Sequence, residues 1–285
     1  MGTTKSRQKG AKKGGKSAKS SKPRKADSAD RHALYEQSVQ STEFEYEFIT
    51  TNFKRIRKRV PRVLREDFCG TAQMCCEWVR GHKDNRAIGV DLDGEVLDWG
   101  REHHIAGLTD SQRQSVTLVQ EDVRSVVTEP VDIVVAMNFS WQIFEQREML
   151  REYFVSVRDA LVEDGICFLD IYGGYEAYRE IEEKTRHKGF TYVWEQSDYD
   201  PVTGHTVCRI HFNFNDGSRM KDAFIYEWRL WTLPELKEIL LEAGFANVTI
   251  YWQTTDEDGE PSGEFEPATR GEADAGWICM ISAEK

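Results

Sequence analysis

From residue 61 onward, short apolar runs of strand length alternate with segments whose apolar residues recur at helical spacing. The runs predicted as strands are 62–68, 86–91, 116–119, 131–137 and 166–171. The segments predicted as helices are about 72–81, 94–105 and 145–162. Strands that alternate with helices in this way predict a parallel sheet covered by helices.

The pattern changes after the fifth strand. Strand-like runs are now separated by turn signals rather than by helices; the runs are 191–194, 207–214 and 223–231, and the turns 200–204 and 215–217. Closely spaced strands joined by turns predict an antiparallel meander. We therefore expect an insertion into the α/β unit over about residues 173–231.

The last part of the chain returns to the earlier pattern. A helix is predicted over 233–243, because Thr232 can act as its N-cap, Glu235 can complete a capping box, and Gly244 can end it. Final strands are predicted at 248–252 and 277–282, and the acidic segment 253–276 between them is predicted to be a loop.

The N-terminus has a different composition. Residues 1–30 contain ten Lys or Arg and two Asp, a local charge of +8, which leaves −19 on the rest of a chain whose net charge is −11. With almost no apolar side chains, this basic tail is predicted to be disordered. It is either a solvated tail or an electrostatic tether to RNA or an anionic surface. Residues 31–60 are predicted to be a helical lead-in.

Composition excludes several classes of protein. The chain has no apolar run of about 18 residues and no apolar segment behind its N-terminus, so neither a membrane span nor a secretory signal is expected. None of its six cysteines forms a C-x-x-C pair, which favours reduced thiols in a cytoplasmic protein. The histidines lack the spacing of metal ligands, and we predict no metal site.

The stretch from Val63 to Ala72 carries the most chemical information. An apolar start runs into acidic residues and then a tight turn around Gly70, and the next strand ends on Asp91. Strand, turn, helix, strand and terminal carboxylate are typical of a nucleotide-binding βαβ unit. A dinucleotide fingerprint needs three glycines, whereas only Gly70 is present. A nicotinamide site is therefore disfavoured.

The ordered set of motifs resembles the class I S-adenosylmethionine-dependent methyltransferases over about residues 60–285. The motifs are Arg65-Glu66-Asp67-Phe68-Cys69-Gly70-Thr71-Ala72, Gly89-Val90-Asp91-Leu92-Asp93, Gln120-Glu121-Asp122-Val123, Met137-Asn138-Phe139-Ser140-Trp141 and the late helix from Trp231. The resemblance implies a Rossmann-like, seven-stranded, mostly parallel sheet with helices on both faces. It also implies S-adenosyl-L-methionine as cofactor. Phe68 and Ala72 replace the family's outer glycines, so the Phe68 ring must turn away from the cofactor.

The resemblance also implies a set of cofactor-binding residues. Asp91 would bind the ribose hydroxyls, although it could instead cap the next helix. Asp122 and Val123 would bind the adenine, while Glu66 and Asp67 divide the role of the first-motif acid. The full implied set is Glu66, Asp67, Phe68, Cys69, Gly70, Thr71, Asp91, Leu92, Asp122, Val123, Asn138 and Phe139.

The predicted reaction is in-line methyl transfer to nitrogen or oxygen of a small molecule, because the insertion resembles the substrate cover of small-molecule methyltransferases. Tyr172 and His211 are the candidate catalytic residues, with Tyr226, Glu227 and Arg229 as further candidates, and His211 could equally be structural. One alternative is an RNA or protein methyltransferase docked through the tail. Another is a non-catalytic binding module. The oligomeric state is left open.

Overall fold

The computed structural model describes residues 23–255 and 261–285. Its helices are α1 Lys25–Ser28, α2 Arg31–Val39, α3 Thr42–Arg57, α4 Gln73–Gly81, α5 Gly94–His103, α6 Asp110–Gln114, α7 Arg147–Ala160 and α8 Leu233–Glu242. Its strands are β1 Val63–Asp67, β2 Arg86–Asp91, β3 Val116–Gln120, β4 Val131–Ala136, β5 Leu161–Gly173, β6 Ile181–His187, β7 Phe190–Tyr199, β8 His205–Phe214, β9 Arg219–Arg229, β10 Asn247–Thr255, β11 Pro261–Ala268 and β12 Trp277–Glu284. In this part of the chain, no helix is both long and apolar enough to cross a membrane.

The main sheet has the order β11-β10-β12-β5-β4-β1-β2-β3. Strands β1 to β5 run parallel, and β12 is antiparallel to its neighbours β5 and β10. The chain runs outward from β1 to β3 and then crosses to β4 on the other side of β1. The strand order therefore reverses between β1 and β4, where α/β sheets bind ligands at the carboxyl ends of the strands.

The sheet has an apolar layer on each face. One layer joins it to α7 and α8 around Trp141, Tyr153 and Trp231, and the other joins it to α3 and α4 around Phe53 and Trp78. All residues of β4 are buried, as expected for a central strand covered on both faces. The predicted Rossmann-like α/β body is confirmed.

Two edge strands were missing from the sequence prediction. In the described residues the main sheet has eight strands rather than seven, because β11 pairs antiparallel with β10 inside the segment predicted to be a loop. The predicted meander is confirmed, but it has four strands in the order β6-β7-β8-β9. Both missed strands lie at an edge, and their Glu-, Gly- or Pro-containing sequences lack the apolar alternation that indicates a half-buried strand.

Residues 23–30 also differ from the expectation of disorder. Helix α1 is anchored to the β8–β9 hairpin, since the Lys25 and Ala26 backbone N–H groups donate to Asp216 (2.9 Å) and Ser218 (3.1 Å). Asp30 caps α2 by accepting from the next turn of backbone N–H groups. Residues 1–22, which carry most of the basic tail, lie outside the described residues.

Helix α2 connects the insertion to the body. Leu34 belongs to an apolar cluster with Phe190, Ile210 and Phe212 of the inserted sheet. On the body side, the Trp99 indole of α5 donates to Asp30 at 2.7 Å. The N-terminal segment therefore bridges both sheets above the carboxyl ends of the parallel strands.

Candidate functional site

The turn after β1 has positive φ angles at three positions, although only one of the three residues is glycine. Phe68, Gly70 and Ala72 have φ values of 58°, 51° and 57°. Side-chain-bearing residues rarely adopt positive φ, and such conformations cluster at functional sites. A Cβ atom built on Gly70 would meet no protein atom within 4 Å, so the turn leaves open space beside its backbone.

Asp91 holds this turn from the end of β2. Its carboxylate accepts from the Gly70 backbone N–H at 2.8 Å and from the Asp93 N–H at 2.9 Å. Burial raises the pKa of Asp91, although these donors favour its ionised form. The residue that caps α5 is Asp93, whose side chain accepts from Glu95 and Val96. The capping alternative for Asp91 is therefore wrong.

The two acids at the end of β1 have different environments. Asp67 is fully buried; it pairs with Arg65 at 2.7 Å and accepts from the Tyr153 hydroxyl at 3.0 Å. Glu66 accepts from the Cys75 backbone N–H at 3.1 Å, and burial raises its pKa to about 7. Asp67 is thus neutralised by the protein, which leaves Glu66 as the stronger candidate for a ligand contact.

A second turn with positive φ follows β4. Asn138 and Phe139 have φ values of 57° and 60°. Both backbone N–H groups donate to the Asp170 carboxylate on β5, each at 2.9 Å. Burial raises the pKa of Asp170 to about 7, partly opposed by these two hydrogen bonds. Asp170 was missed in the sequence, where the available signal was a carboxylate inside an otherwise apolar strand.

These turns form the wall of a cavity of about 560 Å³, which we call the donor cavity. Helix α2 covers it with Arg31, His32 and Tyr35, and Gln40, which follows the helix, also lines it. The same helix is tied to the first turn through Glu36, which accepts from the Thr71 hydroxyl at 2.6 Å and pairs with His104 at 2.6 Å. Sequence reasoning missed this cover, because residues 31–40 carry no motif.

Eight of the predicted cofactor residues line the donor cavity. They are Glu66, Asp67, Phe68, Cys69, Gly70, Thr71, Asp91 and Asn138. Leu92, Asp122 and Val123 do not line the donor cavity. The Leu92 side chain is 66% exposed, and Asp122 pairs with Arg124 at 2.5 Å. Val123 is buried, and its backbone carbonyl accepts from Arg65 at 3.0 Å. The adenine contacts assigned to Asp122 and Val123 stay predictions.

The Phe68 ring packs into the core side of the turn. Its centroid lies 5.8 Å from the Phe144 ring and 5.8 Å from the Tyr153 ring. These contacts anchor an aromatic side chain where a glycine was expected. Phe68 is half-buried and also lines the donor cavity.

A second cavity of about 560 Å³ lies beside the first, and we call it the acceptor cavity. It is lined by the inserted sheet, α2 and the carboxyl end of β5. Four residues line both cavities: Tyr35, Asn138, Tyr226 and Trp228. Phe139, predicted to contact the cofactor, lines only the acceptor cavity.

The two candidate catalytic residues lie in different places. Tyr172 lines the acceptor cavity, with its ring 4.9 Å from Phe139 and its hydroxyl 3.8 Å from the Cys208 sulfur. His211 is fully buried between Glu195, at 2.6 Å, and the Asp222 backbone N–H, at 2.8 Å. Neighbouring residues of a strand point to opposite faces, so Ile210 faces the cavity and His211 does not.

The further candidates divide in the same way. Tyr226 lines both cavities, whereas Glu227 and Arg229 line neither. Arg229 instead pairs with Glu235 at 3.0 Å and packs over the Trp231 ring. In the described residues, no cluster of three or more His, Cys, Asp or Glu side chains could hold a metal ion. All six cysteines are buried free thiols.

No protein-family model and no curated protein matches the chain. Several solved structures match it over most of their length. An S-adenosylmethionine-dependent methyltransferase from Clostridium acetobutylicum is 16% identical, with a TM-score of 0.65, and the match covers 89% of this chain and 96% of that one. An amino pentose methyltransferase from Micromonospora echinaspora is 13% identical, with a TM-score of 0.62 over 89% and 96% of the two chains.

A sugar N-methyltransferase from Streptoalloteichus is 14% identical, with a TM-score of 0.60, and the match covers 97% of this chain and 99% of that one. At these identities, the similarity shows the fold. The chain has the Rossmann-like fold of S-adenosylmethionine-dependent methyltransferases.

Proposed function

We propose that the protein is an S-adenosylmethionine-dependent methyltransferase that acts on nitrogen or oxygen of a small molecule. The observation that carries the proposal is the pair of adjoining cavities with a shared wall. In-line transfer needs donor and acceptor held on opposite sides of the transferred group. Two cavities that meet at Tyr35, Asn138, Tyr226 and Trp228 provide such an arrangement.

The donor cavity fits S-adenosylmethionine on the chemistry of its lining. Asp91, at the end of β2, would accept from the ribose hydroxyls, and Glu66 is available for a further polar contact. The open space beside Gly70 allows a ligand to approach the backbone. Arg31 would offer a positive charge to the amino-acid carboxylate of the methyl donor. Such a ligand has no pyrophosphate, so the loss of two glycines is compatible with binding.

The protein's contribution to catalysis would be alignment and exclusion of water. When bound, the methyl donor supplies a methyl group on a cationic sulfur; the acceptor's lone pair forms the new bond to carbon as the carbon–sulfur pair returns to sulfur. Helix α2 covers the donor side, and a bound acceptor packed against the aromatic lining would exclude water from the reacting atoms. Any acceptor proton passes to solvent or to a base on the protein.

Tyr172 is the candidate catalytic residue that this geometry supports, because it lines the acceptor cavity beside Phe139. Burial raises the pKa of Tyr172 well above its ordinary value, so it would act as a neutral hydrogen-bonding group. The catalytic assignment of His211 stays a prediction, and the burial of that ring favours the structural alternative.

Small acceptors are favoured over macromolecules by the size of the acceptor cavity and by the fold neighbours, two of which are named as sugar or amino pentose methyltransferases. Docking of RNA or protein through the tail depends on residues 1–22, outside the described part of the chain. A cytoplasmic location stays a prediction, supported by six free thiols.

Calorimetric titration tests the proposal directly. We expect S-adenosylmethionine and its demethylated product S-adenosylhomocysteine to bind with one site per chain, and NAD not to bind. Binding of NAD without binding of the methyl donor would overturn the proposal. Binding followed by no methyl transfer to any pool of small molecules would favour the non-catalytic binding module instead.

A further inference from the structure

We propose that the methyl acceptor is an organic amine, and that it enters the acceptor cavity as an ammonium ion. Before transfer it releases one N–H proton to solvent or to a carboxylate of the lining, which frees the nitrogen lone pair that forms the new bond to the methyl carbon. This inference rests on the proposed function and names its substrate class. It depends on the lining of the acceptor cavity, which includes eight aromatic side chains. They are Tyr35, Phe139, Tyr172, Tyr192, Trp194, Tyr226, Trp228 and Trp277.

The aromatic rings form a connected wall rather than isolated contacts. Tyr226 and Trp228 stack with ring centroids 4.5 Å apart, and Trp194 lies 6.2 Å and 6.3 Å from them. These residues recur with a period of two on β7 and β9, so the sheet presents them on one face. The inserted sheet therefore presents a continuous aromatic surface to the acceptor cavity.

The charge of the lining has one sign. Glu176 and Glu183 are its two acidic residues, and none of its described residues is Lys, Arg or His. Glu183 pairs in register with Trp194 across β6 and β7, which brings a carboxylate next to an indole. An acceptor with a phosphate or carboxylate would find no positive partner here, while a cation would be favoured.

Aromatic faces and carboxylates together are the chemistry that recognises an ammonium group. The electron-rich faces of Trp and Tyr attract a cation, and the attraction is stronger the further the cation is desolvated. A nearby carboxylate adds a Coulombic attraction. An uncharged molecule of the same shape would gain neither term.

The test compares choline with 3,3-dimethylbutan-1-ol, in which carbon replaces the charged nitrogen. Both are titrated by ligand-observed NMR into the full chain saturated with S-adenosylhomocysteine, so that only the acceptor cavity is open. We expect choline to bind about tenfold more tightly. Equal affinity, or tighter binding of the alcohol, would overturn the inference.

Substitutions locate the effect. Trp194→Leu should remove most of the preference for choline, and Trp194→Phe should keep part of it. The control is Tyr199→Leu, because Tyr199 lies on the same strand but does not line the cavity. Glu183→Gln, at an exposed position, gives a second test that does not disturb packing, and it should also weaken choline binding. Unchanged preference in both Trp194→Leu and Glu183→Gln would refute the assigned site.

Failure of this inference can be told apart from failure of the proposed function. If S-adenosylhomocysteine does not bind, the methyltransferase proposal fails, and the choline comparison is run without it on the same cavity. If S-adenosylhomocysteine binds and choline shows no preference, only the substrate class is wrong.

Discussion

The two cavities have nearly the same volume but are built in different ways. The donor cavity lies at the carboxyl ends of parallel strands, where Asp91 and Asp170 hold positive-φ turns through backbone hydrogen bonds. The acceptor cavity lies on an antiparallel sheet, where aromatic rings face one another and little of the lining is charged. The shape of the donor cavity is therefore set by hydrogen-bonded backbone turns, and the shape of the acceptor cavity is set by packed side chains.

This difference determines how each cavity can change. A substitution in the acceptor lining replaces one wall element and leaves the sheet that carries it in place. A substitution at Asp91 or Asp170 releases backbone N–H groups and alters the shape of a whole turn. The donor side should therefore respond to single substitutions more strongly than the acceptor side.

The largest expected effect is that of Asp91→Ala. It removes the proposed ribose contact and the partner of two backbone N–H groups, Gly70 in a part-buried position and Asp93 at the surface. A donor left unpaired costs up to about 1–3 kcal/mol when buried, so the loss of the Gly70 hydrogen bond is the larger of the two. We expect affinity for S-adenosylhomocysteine, measured by calorimetry, to fall about 100-fold. Choline binding without the nucleoside should be unchanged. The control is Asp98→Ala on α5. A similar loss of affinity in that variant would contradict the role of Asp91 in holding the turn after β1.

Asp170→Asn should affect both cavities, because the turn that Asp170 holds contributes Asn138 to both and Phe139 to one. We expect affinities for S-adenosylhomocysteine and choline each to fall about tenfold, since an amide cannot accept both N–H groups equally well. The matched control is Asp132→Asn, a buried aspartate that accepts from the Arg62 and Val63 N–H groups. If both variants weakened binding equally, the effect would be one of general stability.

Glu45→Gln tests the buried acids beneath the donor side. Burial, with the charges of Asp170 and Glu66, raises the pKa of Glu45 to about 8. Because the folded-state pKa is raised, Glu45 contributes stability that is present below about pH 4.5 and lost as pH rises through about 8.

Urea denaturation at pH 5 and pH 9 measures this loss. Glu45→Gln should lose less stability over this interval than the unsubstituted protein, by at least about 1 kcal/mol. Glu43→Gln, exposed on the same helical turn, should match the unsubstituted protein. An unaltered pH dependence in Glu45→Gln would show that Glu45 titrates normally.

The smallest effect is expected from Glu36→Gln, which weakens the bond between α2 and the first turn. The substitution removes the charged partner of Thr71 and His104, but the glutamine amide can still accept one hydrogen bond. We therefore expect the dissociation rate of S-adenosylhomocysteine to rise only about threefold. Stopped-flow displacement measures this rate. The control is Glu102→Gln, at an exposed position on α5, which should leave the dissociation rate unchanged. If Glu36→Gln had the same dissociation rate as the unsubstituted protein, the Glu36 contacts would not hold α2 over the donor cavity.

The donor side could be predicted from sequence because its chemistry is local. The acids and the turn between Glu66 and Thr71 are consecutive, and Asp91 directly ends an apolar strand. Eight predicted residues meet in one cavity for this reason. Asp170 escaped prediction, since its role depends on a register between β4 and β5 that places it beside the Asn138 turn.

The acceptor side could not be predicted in the same way. Its residues come from α2, all four inserted strands, the turn after β4, β5, β10, and β12 with the segment before it. The packing of α2 on the inserted sheet helps to bring these distant segments together. Alternation along β7 and β9 was visible, but not the side of the sheet that the cavity would occupy. His211 illustrates this, because a shift of one residue separates the cavity face from the opposite face.

The wall shared by the two cavities has a thermodynamic consequence. Tyr35, Asn138, Tyr226 and Trp228 cannot rearrange for one ligand without changing the surface offered to the other. If a bound nucleoside alters the affinity for the acceptor by some factor, the acceptor must alter the affinity for the nucleoside by the same factor. Because the two cavities share these four residues, binding in one cavity is thermodynamically coupled to binding in the other.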